Sequence, residues 1–304
     1  MNAQSKLEFK TFQLSNPSQN RRSNAMGFRD LSICISSFES DFGLIEQASG
    51  LAEAWQAHLS CCAIGLQPSP LFSQGIMSGQ AEFQAQMQAS RDQIEDFRNR
   101  LNKYIQEKSV QVELRESLTF DTALAGTVAV FARYADLIVA RMPEQPDRDH
   151  HGEIIEGAMF GAGRPVLALP KSWKPAPIGR KVLLAWDASR EASRAIHDAL
   201  PMLAPGADVC VTTVDAKIGP GKHGAAPGLD ISTHLARHGL KMTVQNADSL
   251  GKPVGERLVE TAQGFGADMI VMGGYRHPKL AQRLLGGPSH FLVSNSPVPI
   301  LLSH

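Results

Sequence analysis

The sequence predicts an α/β protein of two tandem domains, each a five-stranded, mostly parallel sheet flanked by helices. Short apolar runs alternate with segments of helical periodicity, which is the pattern of a parallel sheet. The chain also repeats itself. Tyr134–Val139 corresponds to Gly266–Val271, and their shared aspartates lie 268 − 136 = 132 positions apart. Pro165 and Pro299, each followed by an apolar run, lie 299 − 165 = 134 positions apart. Two offsets this close indicate a duplicated domain.

The first half supplies five strand candidates and one insertion. The strands are expected at Leu31–Ile35, Leu59–Ile64, Gln111–Arg115, Asp136–Ala140 and Pro165–Leu169. From the first strand to the shared aspartate this half takes 136 − 31 = 105 residues, against 268 − 182 = 86 in the second half. We therefore predict an insertion of roughly twenty residues after the second strand. It is expected to form a long amphipathic helix with Phe83, Met87, Ile94, Phe97, Leu101 and Tyr104 on its apolar face.

The second half repeats the order with strands at Lys181–Trp186, Asp208–Val214, Lys241–Gln245, Asp268–Met272 and Val298–Leu302. After Ser189, apolar residues recur with helical spacing, which predicts a helix that packs one face on the sheet. Prolines at 170, 175 and 177 mark residues 171–177 as a linker. The predicted division is a disordered extension over 1–26, a degenerate domain over 27–170 with the inserted helix, the linker, and a domain over 178–304.

Charge and cysteine usage limit the functional classes. Thirty basic residues balance thirty acidic ones, so no net field would recruit nucleic acid or an anionic membrane. No apolar run reaches the length of a membrane span, and the start of the chain lacks the apolar segment of a secretory signal. Cys34, Cys61, Cys62 and Cys210 lack the spacing of a disulfide framework or a zinc site, and are expected to be small apolar groups. A cytoplasmic protein is predicted.

The most specific motif is the glycine loop near the end of the chain. Gly273 ends an apolar run, and Gly286 and Gly287 follow after 286 − 273 = 13 positions, before the last strand. This segment resembles the C-terminal signature of the universal stress protein family, in which G-x-x-G, nine residues and G-[S/T] form a phosphate-binding loop. The resemblance covers nearly everything from residue 28 on. In the second half it also rests on Ala185–Ser189, Thr213–Asp215, Leu235–Gly239 and Met272–Tyr275, and in the first half on strand order and Gly163–Leu167.

The resemblance implies an adenine nucleotide alpha hydrolase-like fold and at most one site for ATP or another adenine nucleotide, in the second half. The residues carried over by position are Asp187 and Val214 for adenine, and Gly273, Gly286 and Gly287 for ribose and phosphates. Ligands of open parallel sheets bind beyond the carboxyl ends of the strands, where these residues are expected. The first half has no matching glycine pair after Val139, so no nucleotide is predicted there.

Two departures from the family pattern leave nucleotide binding open. Arg276 stands in place of the second glycine, where a side chain can strain the loop or pair bidentately with phosphate. Gly287 stands in place of the Ser/Thr, and Ser289 can restore the hydroxyl only if the helix begins late enough. Binding of ATP is therefore a hypothesis that titration with ATP, ADP and AMP tests.

Several candidate residues also have structural interpretations. Asp187 can cap the following helix, which is worth about 1 kcal/mol, rather than contact adenine. Metal-ligating residue types are crowded at Asp147, Asp149, His150, His151 and Glu153, where we predict a solvated loop rather than a metal site. His197, His234, His238 and His290 are isolated in the sequence, and no catalytic constellation is predicted.

The predicted function is that of a non-enzymatic stress-response or signalling protein that acts on a protein partner the sequence does not name. Two alternatives stay open: a nucleotide hydrolase or nucleotidyl-transfer enzyme, and a scaffold with a vestigial site. Val298–Leu302 is expected to pair with Val166–Leu169 and form an intramolecular pseudo-dimer, because an unpaired apolar edge strand invites association. Whether two chains associate further stays open. A single continuous sheet would count against two duplicated domains.

Overall fold

The computed structural model describes residues 28–67, 80–108, 111–144, 149–219, 223–274 and 288–304. The strands of the first half are β1 Asp30–Ile35, β2 His58–Gln67, β3 Glu113–Phe120, β4 Leu137–Arg141 and β5 Val166–Leu169. Those of the second half are β6 Lys181–Ala185, β7 Asp208–Val214, β8 Lys241–Ala247, β9 Met269–Gly273 and β10 Ile300–Ser303. Each overlaps a predicted strand, although β3 begins at Glu113 and ends at Phe120 where Gln111–Arg115 was predicted, and the predicted α/β fold class is confirmed.

Helices separate most of the strands. They are α1 Phe42–Trp55, α2 Gln80–Lys108, α3 Leu124–Ala132, α4 His151–Glu156, α5 Arg190–Ala199, α6 Leu229–Ala236, α7 Val254–Phe265 and α8 Pro288–Asn295. A short π-helical segment, Gly157–Gly161, continues α4. Residues 171–177 form neither a helix nor a strand between the two halves. The predicted division of the chain at these residues stays a prediction.

The ten strands form one sheet in the order β3-β2-β1-β4-β5-β10-β9-β6-β7-β8. Within each half all pairings are parallel, whereas β5 and β10 pair antiparallel, with Leu301 opposite Leu167. The predicted pairing of the last strands is thus observed. The sheet is continuous, which is the observation that the sequence analysis holds against two duplicated domains. The order of the strands is nevertheless the same in both halves, and the antiparallel pair joins the two five-stranded orders edge to edge.

The shared aspartates of the repeat have the same structural role in both halves. Asp136 Oδ2 accepts hydrogen bonds from the backbone N–H groups of Arg29 and Asp30, at 2.9 and 3.0 Å. The Asp268 carboxylate accepts three, from Gly179, Arg180 and Lys181, at 2.7 to 2.9 Å. Each aspartate fixes the start of the neighbouring central strand, which explains why the repeat is readable at this position.

The inserted helix α2 accounts for the extra length of the first half. Its side chains Ile94, Phe97 and Leu101 are buried, as the apolar spacing predicts. Phe97 stacks on Phe38 with ring centroids 4.9 Å apart, and Arg98 forms a two-pronged hydrogen bond to Glu116 on β3. The helix therefore covers the outer strands of the first half.

Two apolar clusters, one on each face of the sheet, both include residues of the two halves. Leu167 and Leu301 lie in one cluster, and Ala168 and Ile300 lie in the other. Burial of this surface against helices on both faces is the main stabilising term of such a fold. None of the helices in the described ranges is long and apolar enough to cross a membrane.

All four cysteines are buried in the sheet as free thiols. Cys61 and Cys62 lie in the middle of β2, as their apolar surroundings in the sequence predict. Burial raises the pKa of the Cys61 thiol above its usual range, and burial together with a hydrogen bond to Cys34 does the same for Cys62. These thiols therefore stay protonated and behave as small apolar groups.

Candidate functional site

A cavity of about 270 Å³ opens at the carboxyl ends of β6, β7 and β9. Four of the residues that the sequence singles out line it: Asp187 after β6, Val214 at the end of β7, Gly273 at the end of β9 and Ser289 in the first turn of α8. Three different strand ends and one helix start thus converge on a single space. Arg276, Gly286 and Gly287 lie outside the described residues.

The turn between β6 and α5 places Asp187 at the cavity. The backbone N–H of Ser189 donates to Asp187 Oδ1 at 3.0 Å, and Ser189 Oγ accepts from the backbone N–H of Ala192 at 3.1 Å. Ser189, rather than Asp187, is therefore the N-cap of α5. Ala188 between them has φ = 59°, a left-handed conformation that costs an alanine about 1 kcal/mol. The turn holds the Asp187 carboxylate at the cavity wall.

Gly273 is required by packing at this position, independently of any ligand. A methyl group on its Cα would lie 2.5 Å from the backbone nitrogen of Ala192 and 2.6 Å from the carbonyl carbon of Glu191. The glycine therefore lets the start of α5 lie directly against the end of β9. This close approach forms the floor of the cavity.

Glu191 is a cavity residue that the sequence analysis misses. It follows the N-cap of α5, is only 8% exposed, and lines the cavity beside Asp187. Burial acts to raise its pKa, but hydrogen bonds from its own backbone N–H and from Arg190, whose Nε lies 2.9 Å away, give a net lowering. Glu191 is thus a carboxylate at neutral pH. From the sequence, Glu191 is recognisable only as an acidic residue in the first turn of a helix. Acidic residues are common there, so nothing in the sequence distinguishes Glu191 as a cavity residue.

The corresponding position of the first half holds charged side chains. Arg141 ends β4 at the place that matches Gly273, since 141 + 132 = 273. Its Nε lies 3.6 Å from Oδ1 of Asp41, the residue before α1, and the same oxygen lies 2.7 Å from Nε2 of His151. All three side chains are less than 5% exposed. In the first half, therefore, Arg141, Asp41 and His151 are buried together beyond the end of β4.

One sequence-based interpretation of a histidine is wrong. His151 lies buried against Asp41 rather than in a solvated loop, while Asp147 is outside the described residues. His197, His234 and His238, which are isolated in the sequence, lie close together in the structure: the ring centroids of successive pairs are 5.6 and 5.0 Å apart. Neither group is arranged as a metal site: over the described ranges no three or more His, Cys, Asp or Glu side chains are placed to hold an ion.

The comparisons with known proteins identify the half that carries the cavity. The model of the universal stress protein family matches residues 179–304. Residues 179–304 belong to the universal stress protein family. The resemblance that the glycine loop indicates is thereby confirmed, and the cavity lies wholly within the matched segment. A comparison with curated proteins finds no match.

Solved structures extend the fold assignment to the first half. A universal stress protein from Archaeoglobus fulgidus is 14% identical, with a TM-score of 0.67 over 90% of this chain and 95% of its own. Because that alignment spans both halves, the fold of the solved structure extends over both halves of this chain. A shorter protein of the family from Burkholderia pseudomallei is 23% identical over 42% of this chain and 98% of its own, with a TM-score of 0.29.

A further solved structure is a universal stress protein in complex with cAMP. It is 23% identical over 42% of this chain and 98% of its own, with a TM-score of 0.32.

Proposed function

We propose that this universal stress protein binds one adenine nucleotide in its second half and acts as a non-enzymatic stress-response or signalling protein through that bound state. The observation that carries the proposal is the cavity at the strand ends, where Asp187, Val214, Gly273 and Ser289 meet. These residues come from four separate segments. Asp187, Val214 and Gly273 stand at positions of the family's nucleotide-binding pattern, and Ser289 lies two positions after Gly287, which takes the Ser/Thr position.

The walls of the cavity suit a nucleoside. Ala185, Leu258 and Met272 supply apolar surface for a base, and Asp187 supplies an acceptor for an amino or hydroxyl group. The N-terminal end of α8, with Ser289 in its first turn, adds backbone N–H groups and a hydroxyl that favour an anion. An adenine nucleotide combines these three kinds of group.

The charge of the described lining favours a nucleotide with few phosphates. Its two ionisable side chains in the described ranges are acidic, Asp187 and Glu191, and Arg190, 2.9 Å from Glu191, offsets part of that charge. Like charges close together repel strongly in a partly enclosed site. We therefore expect AMP to bind more tightly than ATP in the absence of Mg²⁺. The difference in affinity should become smaller when Mg²⁺ neutralises part of the triphosphate charge.

Isothermal titration with AMP, ADP and ATP tests the proposal. We expect one site per chain, weakened about five- to thirtyfold in Asp187→Ala, because a polar contact to the ligand is worth about 1–2 kcal/mol. Asp208→Ala is the matched control. Asp208 is the first residue of β7 and Val214 the last, so Asp208 lies at the end of the strand opposite to the cavity. Absence of heat with all three nucleotides at high protein concentration would reject the site. Equal binding by both variants would place it elsewhere.

The two carboxylates also favour one alternative, nucleotide hydrolysis. Hydrolysis would need a metal ion at the phosphates, for which Asp187 and Glu191 are the available oxygen ligands. A phosphate-release assay with Mg²⁺ or Mn²⁺ separates hydrolysis from binding. Phosphate release that disappears in Glu191→Gln while binding remains would establish the enzyme; no release from a saturated complex supports the non-enzymatic function.

The organisation and location of the protein complete the proposal. We propose two domains that meet at residues 171–177, a cytoplasmic location consistent with four free buried cysteines, and a protein partner that reads the nucleotide state. Pull-down with and without the bound nucleotide tests the last point. If no nucleotide changes the melting temperature in a thermal-shift screen, while the pull-down recovers a defined protein partner, a scaffold with a vestigial site is favoured instead.

A further inference from the structure

A second and larger cavity lies away from the nucleotide site, at the junction of the two halves. Its volume is about 670 Å³, within the range of small-molecule sites. Three segments enclose it: the C-terminal turns of α1, the connecting residues 175–178, and the turn after α5 that includes Met202 and Ala204. A ligand there would contact both halves and the segment that joins them.

The wall formed by the connecting segment is held in place by α1. Gln47 is only 5% exposed, and its Nε2 donates to the backbone carbonyl groups of Pro170, Lys171 and Trp173 at 3.2, 3.4 and 2.6 Å. One turn further along α1, a methyl group on Gly50 would lie 2.7 Å from Pro175, so the glycine lets the proline rest directly on the helix. The cavity is therefore pre-formed, which reduces the entropy lost when a ligand binds.

The chemistry of the lining is apolar with one positive charge. Leu51, Trp55 and Ile178 are among its apolar side chains, and Trp55 is fixed by an edge-on contact with Phe28 at 6.4 Å. Arg180 is the one charged residue among the described lining residues. Its backbone N–H donates to Asp268 at 2.9 Å, which anchors the residue, and across the described ranges no carboxylate forms an ion pair with its guanidinium.

We propose that this cavity binds an amphipathic monoanion, a carboxylate with an aliphatic or aromatic body, whose acid group pairs with Arg180. An apolar body would bury itself against Trp55 and the linker prolines, where the hydrophobic effect provides affinity. A carboxylate would form an ion pair with the guanidinium, which makes charge-assisted, bidentate hydrogen bonds with such groups. A cation would be repelled by Arg180, and a neutral alcohol of equal length would lose the charged pair.

Titration calorimetry with octanoate, octan-1-ol and octylamine tests this class of ligand. We expect octanoate to bind about tenfold more tightly than octan-1-ol, and octylamine more weakly than either. Arg180→Gln is expected to weaken octanoate about tenfold and leave octan-1-ol unchanged. The matched control is Arg237→Gln, an exposed arginine at the end of α6 that does not line the cavity.

A second variant tests the location. Ala54 lines the cavity from an exposed position on α1, so Ala54→Phe fills the space without disturbing the core, and is expected to abolish binding of octanoate and octan-1-ol alike. Asp187→Ala is expected to leave octanoate binding intact, which separates this site from the nucleotide site. Equal affinities for octanoate and octan-1-ol, no heat with any probe at millimolar concentration, or octanoate binding that survives both Arg180→Gln and Ala54→Phe would each overturn the proposal.

Discussion

Replacement of Gly273 by alanine tests whether this residue is a glycine because of packing or because of a ligand. The added methyl group would lie 2.5 and 2.6 Å from two backbone atoms of α5, about 1 Å inside an ordinary carbon contact. Those atoms cannot rotate away, because the start of α5 is fixed by its Ser189 cap. Overpacking of a core usually costs about 1–3 kcal/mol, and with backbone on the far side we expect about 3 kcal/mol for Gly273→Ala.

The assay is urea denaturation of the protein without nucleotide, followed by circular dichroism. Gly264→Ala is the matched control: this glycine lies in α7 with no atom within 4 Å of the added methyl group, so the helix should gain about 0.5 kcal/mol. The loss in Gly273→Ala should lower the thermal midpoint by roughly 5–10 °C. If Gly273→Ala unfolds within about 0.5 kcal/mol of the parent protein, the packing explanation is refuted and the glycine is needed only at the ligand.

Three further predictions concern stability. Asp268→Asn should lower the free energy of unfolding by about 2–3 kcal/mol, because a neutral amide oxygen replaces a charged acceptor of three backbone N–H groups. The control is Asp208→Asn, at an exposed position at the start of β7, which should change the free energy of unfolding by less than about 0.5 kcal/mol. Ala188→Gly should raise the free energy of unfolding by about 0.5 kcal/mol, because relief of the strain at φ = 59° outweighs the greater entropy of glycine in the unfolded chain, and an unchanged denaturation midpoint would contradict this. Burial, reinforced by the nearby Glu153 carboxylate, raises the pKa of Glu156 to about 7 in the folded protein. Stability should therefore fall as pH rises from about 4.5 to about 7, by about 1 kcal/mol after allowance for its partial exposure, and Glu156→Gln should flatten that slope.

Local patterns in the sequence were enough to predict the elements of the fold. Apolar runs locate the ten strands, the helical spacing of Ile94, Phe97 and Leu101 predicts the inserted helix, and the offset between Asp136 and Asp268 reveals the repeat. Strands and helices can be recognised in the sequence because each places its buried side chains at a fixed spacing. The repeat can be recognised because each aspartate accepts hydrogen bonds from backbone groups at the same place in the fold. The strand-end residues of the candidate nucleotide site follow from the same logic, since the carboxyl ends of parallel strands share one edge.

Contacts between distant segments were not predictable in this way. Glu191 is an ordinary first-turn residue until the cavity places it beside Asp187, and His151 is a loop histidine until Asp41, 110 positions earlier, meets it inside the protein. The histidines at 197, 234 and 238 converge only because α5 and α6 lie side by side. The positions of these residues in the sequence do not show which helix faces contact each other in the folded protein.

The sequence by itself determined that this protein is a duplicated α/β chain with a universal stress protein half at its C-terminus, because periodicity and repeated motifs are properties of the chain alone. Only the tertiary structure decided that Arg141, Asp41 and His151 are buried together beyond the strand ends of the first half, and that a cavity lined by Arg180 lies at the junction of the two halves. Each of these depends on where the edges and helix faces of two separate segments meet, which is set by packing of the whole molecule.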